Sequence, residues 1–301
     1  MGTSLSAALV LLPDFLLIAL GAILRRLRSF DGNFWSGVER LVYFVLFPAL
    51  LFRSLALSPS SLHDAGRLAL VGVAFTLAGM LLSALAQPLF QLPRATFAAC
   101  FQCGFRFNTY VALAAASRLG GAEGVALMSM LIGVLVPVVN FAAVAVLARE
   151  RDARIARELA RNPLVIACIA GIAWNLLRLP MPALPGRMLD LLASAALPLG
   201  LLAVGAGLRF DGRALPWPAL AWWTGVKLIA LPVVALVLAR AMSLSLVEAQ
   251  MAVAMAAVPT ATSAYILAVQ MKTPGSPVAM LISLGTLLAA VTLPLWIAAV
   301  T

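Results

Sequence analysis

Ten apolar runs follow one another along the chain with short polar intervals between them. They fall at about 6–24, 34–55, 67–90, 95–117 and 122–148, then at 163–178, 184–208, 215–241, 246–270 and 277–300. Each is near the roughly 20 residues that a helix needs to cross the hydrocarbon of a bilayer. In lipid every backbone N–H and C=O must be satisfied internally, and runs this long and continuous suit helices rather than barrel strands. The expected fold is all-α and integral to a membrane, with ten transmembrane helices. Composition agrees: 63% of the residues are hydrophobic and 11% charged, against about a quarter charged in soluble domains.

The net charge of +10 comes from 21 Lys and Arg against 11 Asp and Glu. These basic residues lie between the apolar runs and form no basic–aromatic platform. The expected partner is therefore the lipid bilayer and not nucleic acid. Multi-pass proteins concentrate Lys and Arg in cytoplasmic loops. With the N-terminus outside, the loops assigned to the cytoplasm carry twelve basic residues, among them Arg25, Arg26, Arg28, Arg209, Arg213 and Lys272, and the remaining loops six. Arg25 is the first basic residue and follows the first run, so no cleavable leader pattern is present. Both termini are expected to be non-cytoplasmic, in a multi-pass protein of the cell (inner or plasma) membrane. The strongest basic element is 149–162, a polar linker at mid-chain.

That linker separates two similar halves, 1–148 and 163–301. A shift of 150 residues lays Pro13 on Pro163, Gly21 on Gly171, Arg28 on Arg178 and Pro48 on Pro198. A shift of 153 lays Gly72 on Gly225, and one of 155 lays Tyr110 on Tyr265. Each half has five runs, an odd number, so the second half must enter the membrane from the opposite side. The expected architecture is two inverted five-helix repeats, a device of secondary transporters.

Chemistry concentrates in helix 4, FAACFQCGFRFNTYVALAAA, and its counterpart helix 9, MAVAMAAVPTATSAYILAVQ. Each holds a helix breaker near mid-span, Gly104 and Pro259, equivalent at a shift of 155. A small polar cluster follows each one: Asn108, Thr109 and Tyr110 in helix 4, and Thr260, Thr262, Ser263 and Tyr265 in helix 9. Proline removes a backbone donor and clashes with the preceding turn. Backbone freed at that depth must be buried in protein or line a cavity. Unwound stretches also expose half-helix N-termini, whose N–H groups suit an anion. A plain kink with hydroxyls bonded back to the preceding turn is the bland alternative.

Ionisable groups at depth are Asp14, Arg106 and Lys227. Charges near the bilayer centre are costly and mark functional sites, and two cations against one interfacial acid favour a negatively charged ligand. No cofactor or metal is expected. Cys100 and Cys103 form a CxxC with no His or carboxylate beside it, and Cys168 stands alone. The one histidine, His63, falls in a loop, and no HExxH or carboxylate pair marks an enzyme.

With these residues in view, the chain resembles the auxin efflux carrier family in its short prokaryotic form. The likeness runs over the whole chain. It is sharpest in PTATSAYILAVQM (259–271), TLLAAVTLPLW (286–296), FNTYVAL (107–113), FPALLF and LPLGLLAVGAGL. The resemblance implies broken, crossing helices 4 and 9 and transport of organic anions, with bacterial relatives resembling malonate or malate carriers. It maps the family's crossover asparagine onto Asn108 and its helix-9 proline onto Pro259. Where many relatives carry a proline just beyond that asparagine, this chain has Ala114 to Ala116. The central loop, long in many plant carriers, is about fourteen residues here.

The expected function is therefore a carrier of a small organic anion, a mono- or dicarboxylate, bound where helices 4 and 9 cross. Asn108 and the half-helix ends would hold the carboxylate, Arg106 or Lys227 would supply positive field, and Tyr110 and Tyr265 would shape the pocket. The alternative is a sodium- or proton-coupled symporter of the bile-acid-symporter type. A homodimer is compatible with the pattern, although no GxxxG pair specifies one.

Overall fold

The computed structural model describes residues 2–57, 66–147, 162–209 and 215–300. The linker 149–161, His63 and Arg213 lie outside the described residues. Those described form helices and no strand. In chain order the helices are α1 (Gly2–Leu24), α2 (Gly32–Leu41), α3 (Phe47–Ala56), α4 (Gly66–Ala84), α5 (Ala86–Phe90), α6 (Arg94–Phe101) and α7 (Thr109–Leu147). The second half has α8 (Pro163–Leu176), α9 (Ala183–Ala206), α10 (Trp217–Gly225), α11 (Leu231–Ala241), α12 (Leu246–Ala257), α13 (Ser263–Gln270) and α14 (Gly275–Val300). Helix falls on every apolar run of the sequence. Among the described residues five stretches are long and apolar enough to cross a membrane: Gly66–Phe90, Arg94–Leu147, Ala183–Ala206, Trp217–Ala241 and Gly275–Val300.

Within Arg94–Leu147 the chain unwinds at 105–108 and turns at Gly121, whose φ of 54° and ψ of −136° lie where only glycine sits without strain. Single π turns, Val42–Leu46 and Val226–Ala230, join α2 to α3 and α10 to α11. Each comes just before a proline, Pro48 or Pro232. A proline ring collides with the carbonyl four residues back and cannot donate to it, and the wider turn relieves that crowding. The carbonyl left by Pro232 is that of Leu228, and the Trp296 indole on α14 donates to it at 2.8 Å. In a bilayer that substitution matters, because no water reaches the orphaned group.

On the long helices packing places one face inward and leaves the other apolar as well. On α4, Leu68, Val71 and Phe75 are buried, while Leu70, Leu77 and Leu81 are exposed. Exposed leucine, isoleucine and valine recur on α8, α9 and α14. Helices apolar on both faces belong in lipid, and the molecule is a multi-pass membrane protein.

The tightest helix contacts come in a matched pair. α1 packs on α9, and α3 packs on α8. A Cβ placed on Gly21 would lie 2.0 Å from the Leu202 carbonyl oxygen, and one on Gly171 would lie 2.8 Å from the Phe52 carbonyl oxygen. Gly171 and Leu202 stand 150 residues after Gly21 and Phe52, so one contact is made twice with the roles of the halves exchanged. Gly205 reinforces the first pair, its Cβ position 1.8 Å from the Ile18 carbonyl oxygen. Gly37, by contrast, faces open space. Gly205→Ala is therefore expected to destabilise the protein by about 1–3 kcal/mol through forced backbone displacement, and Gly37→Ala to be near neutral. Thermal unfolding in detergent checks the contrast.

Candidate functional site

Two interrupted helices meet at the centre of the bundle. α6 tightens into a 3-10 turn, Gln102–Gly104, and ends there. The chain then leaves helix through 105–108, the Arg106 N–H still bonded to the Gln102 carbonyl, and helix resumes with α7 at Thr109. In the second half α12 ends at Ala257 because Val258 precedes Pro259 and is pushed to an extended ψ of 148°. The chain resumes as helix at Ser263.

Each break satisfies the other. The Asn108 backbone N–H donates to the Pro259 carbonyl at 2.8 Å. The Thr260 hydroxyl donates to the Cys103 carbonyl at 2.7 Å, and the Gln102 side-chain amide donates to the Ala264 carbonyl at 3.1 Å. Gly104 contributes by what it lacks. A Cβ there would lie 2.7 Å from Ser83 Oγ, a hydroxyl that donates to the Phe101 carbonyl at 2.5 Å and accepts from the Trp223 indole at 2.7 Å. Glycine at this position permits close packing and is not needed for an unusual dihedral.

Asn108 caps the resumed helix. Its Oδ1 accepts from the backbone N–H of Tyr110 at 3.0 Å and of Val111 at 3.3 Å. With the oxygen held, the amide nitrogen must point the other way. That Nδ2 is buried and has no partner among the described residues. Asn108 lines a cavity of about 140 Å³ together with Arg106, Thr109, Tyr110, Thr262 and Ser263. Arg106 is 8% exposed. It donates to Gln102 Oε1 at 2.5 Å and to Asn140 Oδ1. Both acceptors are neutral amides, so the guanidinium charge is held in place without being cancelled.

The structure thus brings together Arg106, Asn108, Thr109, Tyr110, Thr262 and Ser263, and places the other expected site residues elsewhere. Pro259 and Thr260 hold the break from behind. Lys227, 2% exposed, donates from Nζ to the Ala256 carbonyl at 2.6 Å. There it caps the C-terminal, negative end of α12 and lines a separate small space with Cys103 and Thr260. Asp14 pairs with Arg118 at 3.3 Å. Tyr265 lies in a second cavity of about 110 Å³ with Glu39, Gly207, Arg209 and Thr262.

Lining residues outside the sequence expectation are Tyr43, Asn140 and Asn162 in the first cavity, and Glu39 and Arg209 in the second. The signals were present. Asn140 is a lone amide inside an apolar run, Glu39 is the one acid in the run 34–55, and Asn162 before Pro163 is a helix-start pattern. Asn162 accordingly caps α8, accepting from Leu164 N–H at 3.0 Å.

Apolar helices on a multi-pass plan, interrupted and mutually bonded at their centre around a small polar cavity, are the build of a membrane transporter. Residues 126–297, more than half the chain, match the family model described as "Membrane transport protein", and the chain belongs to that family, the auxin efflux carrier family. This is a family of transporters and not of enzymes. No curated protein matches the chain. The matched region contains the second break; Asn108 and the first break precede it.

The contacts between the breaks yield a stability contrast. Thr260→Val leaves the buried Cys103 carbonyl without its donor and is expected to cost about 1–3 kcal/mol. Thr224→Val removes a buried hydroxyl that has no partner among the described residues, and is expected to be neutral or stabilising. Unfolding midpoints of the two variants in detergent make the comparison.

Proposed function

We propose that this transporter carries a small organic anion, a mono- or dicarboxylate, by alternating access. The ten helical segments form two inverted five-helix repeats whose broken helices cross at the cavity. The observation that carries the anion is Asn108: its oxygen is committed to the helix cap, and its buried Nδ2, beside the cavity, is a donor with no partner among the described residues. The Arg106 cation stands in the same wall, compensated by amide oxygens alone, and the N-terminus of α7, whose Tyr110 and Val111 N–H groups Asn108 caps, adds the positive end of a helix dipole. A carboxylate is the small ligand that accepts from the Asn108 amide and the Arg106 guanidinium and is favoured by that helix end. At about 140 Å³ the cavity suits a ligand of a few carbons.

Supporting the inverted repeat, the Gly21–Leu202 contact recurs as Gly171–Phe52, and the two breaks bond to each other. Asn162, Arg209 and Lys272 lie at the end of the bundle where the charge count puts the cytoplasm. The cavity beside Asn162 and Thr262 would then open inward. Lys227 holds the end of α12 in this scheme and takes no part in ligand contact.

Asn108→Asp is the discriminating substitution, since aspartate caps a helix as well as asparagine does but presents an acceptor in place of the donor. Expected is loss of saturable uptake of radiolabelled malonate, malate, lactate and acetate in proteoliposomes, with the unfolding midpoint unchanged. Uptake at the unaltered rate would remove Asn108 from the site. Replacing external sodium by choline is expected to leave uptake unchanged, and strict sodium dependence would favour the bile-acid-symporter type instead.

A further inference from the structure

The second cavity is not needed to hold a ligand at Asn108, yet it adjoins that site and has the residues for an anion. Thr262 lines both spaces. Along α2 and the π turn that continues it, Glu39 faces the second cavity and Tyr43, one turn on, faces the first. The two volumes therefore share a wall on two sides.

Arg209 dominates the second cavity. Its backbone is pinned by one side chain: its N–H donates to Ser283 Oγ at 2.7 Å, and that hydroxyl donates back to its carbonyl at 2.6 Å. The guanidinium lies over the Tyr265 ring, 5.3 Å from the centroid. This is a cation–π distance, and the contact uses none of the guanidinium N–H donors in a hydrogen bond. No hydrogen bond or ion pair takes those donors among the described residues. Glu39 lies within electrostatic reach of Arg209 but makes no ion pair with it. The result is an oriented cation with free donors and a carboxylate standing back from it.

We propose that this cavity is a docking subsite for the transported anion, in which the carboxylate first pairs with Arg209 and then passes Thr262 to the Asn108 cavity. The proposal rests on the anion-carrier reading above. Glu39 has a definite part in it: its negative charge opposes that of the docked anion and keeps the subsite weak. Weakness is a requirement here, since a site on a path must release its occupant as readily as it accepts it. The exposed position of Arg209 also means that docking is screened by salt, unlike binding at the buried Arg106.

Two substitutions with opposite expected signs test the idea. In proteoliposomes, with the four radiolabelled acids named above, Arg209→Gln is expected to raise the half-saturation concentration about fivefold, the effect of one partly screened charge. Arg209→Lys is expected to recover part of that loss. Glu39→Gln is expected to lower the half-saturation concentration by a similar factor. Raising ionic strength should weaken uptake by the unaltered protein more than uptake by Arg209→Gln. If Arg209 and Glu39 were merely a structural pair, both substitutions would act in the same direction and lower unfolding midpoints together. That result, or no shift in either variant, overturns the subsite while Asn108→Asp still reports on the central site. Absence of saturable uptake of all four acids by the unaltered protein overturns the anion-carrier reading and the subsite with it.

Discussion

The arrangement depends on backbone polar groups freed inside a medium that offers them nothing. Interrupting two helices at depth leaves N–H and C=O groups that lipid cannot satisfy. Here the two interruptions answer one another, Asn108 N–H to the Pro259 carbonyl and Thr260 hydroxyl to the Cys103 carbonyl. Neither break would be tolerable alone. Because the partners come from opposite halves of the chain, the halves must assemble in one register before either break is satisfied. The cavity is what remains beside them: the face of the breaks where backbone groups end and side chains begin.

The chemistry of the cavity follows from how its polar groups are oriented. An asparagine free to flip could offer either a donor or an acceptor, but capping commits Asn108 to offering its amide nitrogen. A free arginine at depth would seek a carboxylate, and Arg106 instead finds the amide oxygens of Gln102 and Asn140. Pairing with neutral oxygens fixes the guanidinium and leaves its charge uncancelled. In the proposed function, a preorganised positive site of this kind would need little rearrangement to bind an anion.

Much of this could be read from the sequence, for physical reasons that can be named. Lipid forces long apolar helices, so the helical plan follows from hydropathy alone. Pro259 marks its break because it lacks the N–H that would bond the Met255 carbonyl and its ring crowds that carbonyl, although Pro13, Pro137, Pro198 and Pro294 are carried inside continuous helices. Asn108 followed by a helical run is a cap pattern. What could not be read was which side of a helix each polar residue occupies relative to distant helices. Lys227 has the right depth for the cavity but faces the end of α12 instead. Glu39, Asn140 and Arg209 reach the cavities only through packing between segments far apart in sequence. Depth follows from counting residues along one helix; direction depends on all the neighbours.

The glycine contacts of α1 on α9 and of α8 on α3 carry a mechanical implication. Where a carbonyl oxygen occupies the space a Cβ would fill, two helices cannot slide by a residue without collision. The two pairs therefore behave as stiff struts, locked by the absence of side chains and not by their interlocking. Any rearrangement that exposes the cavity alternately to the two faces of the membrane must leave these struts intact and spend its motion elsewhere, on the segments that carry the breaks.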